Sequence, residues 1–160
     1  MSGRGVLFAI DDEVLGRLGE ASTDAAVLAI VSEIEERWES ACELDKAWDA
    51  IHRALTDGKL SVDHGQPPLS HVVLGGTILV SNAEAIVSVK GVDEVISVAK
   101  ALRSWDASRF RAAYHRIDRS EYGDLDEEDL TYSLAWFERL GPFYEAAARA
   151  ERAVVFAVDL

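Results

Sequence analysis

The chain has one cysteine, three prolines and one methionine among its 160 residues, and only sixteen lysines and arginines. A lone thiol cannot form a disulfide within the chain, so packing must hold the fold, and a reducing, cytoplasmic setting is expected. That thiol, Cys42, has Glu39 and Glu43 as neighbours, which raise a thiol pKa and make it a poor nucleophile. No apolar run is long enough to span a bilayer, and no stretch combines the basic start, apolar core and cleavage site of a secretory signal. Basic residues are too few to balance twenty-nine acidic ones, and the net charge of −13 repels phosphate backbones and anionic membrane surfaces. No nucleic-acid and no membrane partner is therefore expected. The charge favours a protein partner with a basic surface. The oligomeric state is not legible.

With 49% hydrophobic and 28% charged residues the chain reads as globular, and its length suits a single domain over residues 1–160. The apolar run Gly5 to Ile10 predicts a buried strand stopped by Asp11 and Asp12, either of which can cap a helix carrying Val14, Leu15 and Leu18. A longer helix follows from Thr23, with Ala26, Ile30, Ile34 and Trp38 on its apolar side. Beyond Pro67-Pro68, short strands are expected at Thr77 to Val80 and Ile86 to Val89, with Gly75-Gly76 as a turn. Helices are expected from Val92 to Trp105, after Asp106, from about Glu127 to Leu140, and from Phe143 to Arg152. The last run, Ala153 to Val158, is a second wholly apolar strand. The expected fold class is α/β: a single mixed sheet with the N- and C-terminal strands inside it, packed by about five to six helices.

The stretch Leu44 to Leu55 combines the cleanest helical stripe with a polar flank. At 100° per residue Leu44, Trp48, Ile51 and Leu55 share a narrow buried arc, and Asp45, Asp49, His52 and Thr56 line one side of it. Asp49 and His52, three residues apart, can meet on a helix, and a carboxylate beside an imidazole both orients it and raises its pKa. His52, His64 and His71 fall within twenty residues, but spacings of twelve and seven match no compact ligand pattern, so no metal is expected. Nor is a cofactor, because Gly75-Gly76 lacks the Lys-Ser or Lys-Thr end of a phosphate loop.

Leu44-Asp45-Lys46-Ala47-Trp48, followed by Ile51-His52, Leu55 and Thr56 and by Leu74-Gly75-Gly76, resembles the YfbM-like family, a bacterial group of unassigned function. The resemblance covers nearly the whole chain, including both terminal strands, and departs from the family between Ser81 and Gly91. It implies a mixed α/β domain and carries over no catalytic residue.

Two function classes follow. One is a small binding or interaction module, such as an immunity-type partner of a basic protein, with Trp105 and Trp136 as interface anchors. The other is an enzyme with a pocket beside the Trp48 helix, in which His52 is the general base, Asp45 or Asp49 orients it, Trp48 walls the substrate and His71 converges on the pocket. The candidate site residues in either case are Asp45, Trp48, Asp49, His52 and His71.

Overall fold

The structure is a computed structural model that describes residues 3–37 and 40–160. Trp38, on the expected stripe of the second helix, lies outside the described residues, as does Glu39. Among the described residues five strands form one sheet: β1 (Gly5–Ile10), β2 (Ala41–Asp45), β3 (Thr77–Ser81), β4 (Ala85–Lys90) and β5 (Ala153–Asp159), in the order β2-β1-β5-β4-β3. Both terminal strands lie inside the sheet, as their apolar composition predicts, with Leu7 opposite Phe156.

Every pairing is antiparallel, in place of the expected mixture of directions. Strands apolar along their whole length need cover on both faces, and they receive it, but cover does not fix the direction of pairing. Alternate residues of β5 divide between two cores. Val154, Phe156 and Val158 face one cluster with Trp48, Phe110 and Tyr144, while Ala153, Val155 and Ala157 face another with Leu18, Val27 and Ile30. The second cluster is covered by α1 (Asp12–Glu20) and α2 (Asp24–Arg37), the first by α3 (Trp48–Leu55), α4 (Val92–Leu102), α5 (Ala107–Tyr114), α7 (Glu127–Phe137) and α8 (Leu140–Arg149). With the single turn α6 (Arg119–Tyr122) this makes eight α-helices among the described residues, more than the five or six expected. Asp11, Asp106 and Asp126 cap α1, α5 and α7 by accepting from the backbone N–H three residues on.

The helical stripe misplaces one boundary. Leu44 and Asp45 belong to β2, where Cys42 and Leu44 turn inward and Glu43 outward. Five residues of strand alternation happen to extend the helical spacing of Trp48, Ile51 and Leu55, so Leu44 reaches the same core from a different element.

Trp48 fastens α3 to the sheet. Its indole is fully buried, lies 5.8 Å from the Phe156 ring and donates from Nε1 to the Gly3 carbonyl at 2.9 Å. The approach needs a glycine beneath it, because a Cβ on Gly5 would stand 2.8 Å from both Trp48 Cγ and the Phe156 ring. Trp48→Ala is expected to cost about 3–5 kcal/mol of unfolding free energy, and Gly5→Ala about 1–3 kcal/mol through overpacking, both read by urea denaturation.

Candidate functional site

All eight residues of α3 are buried, including Asp49, His52 and Arg53. Burial of a charged group demands a partner, and Asp49 finds one a full turn on: Arg53 Nε donates to Asp49 Oδ1 at 2.6 Å. The expected Asp49–His52 contact is replaced by this i,i+4 ion pair.

His52 faces the other way, into the core. It is 1% exposed, and its Nε2 lies 2.9 Å from the Ser61 carbonyl. A carbonyl only accepts, so Nε2 carries the proton, and Nδ1 is left buried without a hydrogen bond. Burial lowers the His52 pKa to about 4, the reverse of the rise expected from a neighbouring carboxylate. Trp48 is sealed beside it and cannot wall a substrate. His71 pairs with Glu94, its Nδ1 3.0 Å from Oε2, and not with His52. Asp45 sits at the end of β2 with φ 47, 3.3 Å from Arg4 Nε. The five candidates therefore do not converge: Trp48 and His52 are core, His71 belongs to a separate pocket, Asp45 pairs with Arg4 at the end of β2, and only Asp49 lines a cleft.

That cleft, of about 590 Å³, lies between α3 and the α6–α7 segment and is lined by Lys46, Asp49, Arg53, Leu60, Glu121, Tyr122, Asp129 and Tyr132. At its floor the Arg53 guanidinium reaches from Asp49 to Glu121 Oε2 at 3.3 Å and lies 5.6 Å from the centre of the Tyr122 ring. Asp129 accepts hydrogen bonds from Tyr122 at 2.7 Å and from Tyr114, both on its Oδ2. Burial, then the Asp129 carboxylate, raises the pKa of both phenols, so each remains a donor. At the rim the Lys46 N–H donates to Tyr132 Oη at 3.3 Å. The lining holds three carboxylates against two cations and no serine, cysteine or histidine. Such a site can hold polar or cationic groups by charge-assisted hydrogen bonds.

One pair and one thiol with catalytic chemistry are held out of reach. Lys90 Nζ lies 2.8 Å from Ser88 Oγ, yet both residues have no exposed surface. Both donate to the Val73 carbonyl, which a loop aims at the sheet, and burial pushes the lysine pKa well down. Burial likewise raises the Cys42 thiol to about 11, in line with its expected inertness. Trp105 and Trp136 are half-buried and each is covered by a guanidinium, Arg109 and Arg139, at 4.3 Å from the ring centre.

Arg53 was legible as a helical partner of Asp49 at four residues, a signal that the nearer histidine obscured. Glu121, Tyr122, Asp129 and Tyr132 carry no such signal, since only the tertiary fold brings α6 and α7 to α3.

An antiparallel five-stranded sheet covered on both faces, with a charged cleft on one side, defines an α/β domain of the YfbM-like class. The chain belongs to the family described as Domain of unknown function (DUF1877), whose model matches residues 1–157. Its fold is similar to that of a protein of unknown function, YfbM from Escherichia coli, with TM-score 0.75, 22% identity, and coverage of 97% of this chain and 99% of that one. No curated protein matches this chain.

Removing Asp49 leaves the buried Arg53 guanidinium with only its longer contact to the exposed Glu121. Asp49→Ala is expected to lose about 3–5 kcal/mol, and Asp49→Leu combined with Arg53→Met to recover most of it in chemical denaturation. His52 gives a pH signature. Its folded pKa lies below the ordinary 6.5, so its contribution is full above pH 6.5 and falls away as pH drops towards 4. The loss should total about 3 kcal/mol, and the stability–pH curve of His52→Gln should lack this slope between those values.

Proposed function

We propose that this protein is a small binding module, one domain over residues 1–160 acting in the bacterial cytoplasm, that docks a basic protein partner at the Asp49–Arg53–Asp129 cleft. The observation that carries the reading is the charge around that cleft. Glu121, Asp124, Asp126, Glu127 and Glu128 are exposed in one short segment, and the cleft beside them is itself lined by more carboxylates than cations. Among these only Glu121 and Glu127 bond to arginine side chains within the described residues, Arg53 and Arg111. The overall charge of −13 supports the same partner, since a potential of one sign steers an oppositely charged surface into place. Fixed tyrosine hydroxyls and a buried guanidinium give the cleft a set geometry, which supports recognition of a particular side-chain arrangement over general attraction. An immunity-type role, covering a basic active surface, is the form of binding that fits an acidic cleft of this kind.

A fluorescent octa-arginine peptide tests the surface. Binding followed by anisotropy should weaken with added salt, and Glu121→Gln, Asp124→Asn and Glu128→Gln together should lower affinity about tenfold. Glu13→Gln with Glu20→Gln, on α1 at the other face of the sheet, should leave it unchanged. Equal loss in both variants would assign the binding to net charge alone.

A further inference from the structure

A second concave site lies apart from the cleft, between the Pro67-Pro68 corner and the first turn of α4. It measures about 300 Å³, the small end of the range for ligand pockets, and is lined by Pro67, Pro68, His71, Asp93, Glu94 and Ser97. Its one titratable ring is held on several sides. Glu94 Oε2 lies 3.0 Å from His71 Nδ1, and Glu94 Oε1 accepts from the Gly91 N–H at 3.1 Å, so both oxygens of the carboxylate are committed. The His71 backbone donates to the Pro68 carbonyl at 3.0 Å and accepts from Tyr144 Oη at 3.5 Å. Behind the ring runs Gly75, where a Cβ would come within 2.9 Å of His71 Cδ2.

A carboxylate only accepts, so the neutral imidazole carries its proton on Nδ1 and presents Nε2 as a lone-pair acceptor. No partner for Nε2 stands among the described residues. Pro67 and Pro68 give the pocket an apolar side. Asp93 and Glu94 repel anions, and with both Glu94 oxygens committed the open acceptor is the ring nitrogen, which beside apolar prolyl carbon suits an uncharged donor.

We propose that this pocket binds a small neutral aromatic alcohol of the phenol class, its ring on Pro67 and Pro68 and its hydroxyl donating to His71 Nε2, with Glu94 as the positioning residue that fixes the tautomer. The inference does not rest on the acidic cleft, which involves other elements.

The test uses the full chain, ring-labelled with ¹⁵N on histidine, and phenol as the probe at a pH where the imidazoles are neutral. Without ligand, His71 Nε2 should resonate as an unprotonated ring nitrogen, and phenol should shift it saturably along with the Ser97 amide. His71→Ala should weaken binding about tenfold, the worth of one hydrogen bond together with its ring contact. In Glu94→Gln the side-chain amide can donate to Nδ1, so the proton should move to Nε2 and phenol binding should fall. His64→Ala, an exposed imidazole paired with Asp57 at 2.6 Å, should change nothing. A wild-type spectrum with the proton on Nε2, or equal phenol affinity in wild type and His71→Ala, would overturn the proposal.

Discussion

The contact between Trp48 and the β1–β5 pair governs the rest of the structure. The indole can approach the sheet this closely only because Gly5 has no side chain, and its N–H is satisfied because the N-terminal backbone at Gly3 passes within reach. Once Trp48 is fixed, the rotation of α3 is fixed, and with it the direction of every polar group on that helix. Asp49 and Arg53 turn towards α6 and α7, while His52 turns into the interior beneath Ser61. Cleft-lining and core-facing polar residues on the same eight-residue helix are thus separated by how one ring sits on a glycine.

Burial then decides what each of those groups can do. An aspartate and an arginine can share a desolvated site because each compensates the other, and their pairing keeps two charges at the floor of an open cleft. A histidine alone cannot, so His52 stays neutral and inert. Lys90 meets the same constraint by donating to the Val73 loop carbonyl and to Ser88 Oγ. The residues with the most suggestive chemistry, a lysine beside a serine and a histidine near an aspartate, are those the core has removed from contact with any ligand. Among the accessible concave sites are a charged cleft and a small pocket with one oriented imidazole.

The layered plan also explains why the helices outnumber the expectation. A sheet apolar on both faces requires two covering layers, and the larger face is tiled by short helices separated by capping aspartates. Asp106, Asp118 and Asp126 each start a new helix by accepting a backbone N–H, so the acidic residues of this half serve local structure as well as surface charge.

Periodicity and composition by themselves determined the buried terminal strands, the α/β class and the helix starts after Asp11 and Asp106 and near Glu127. These follow from local rules: alternation, helical spacing and the preference of aspartate for a helix start act over a few residues and leave a mark in the chain. The direction of strand pairing was not legible, because two-sided burial looks the same in parallel and antiparallel sheets. Nor was the end of β2, where strand alternation mimicked a helical stripe. The cleft itself was decided only in three dimensions. Asp49 and Arg53 are separated from Glu121 and Asp129 by some seventy residues of chain, and no pattern within either segment records that packing brings them together.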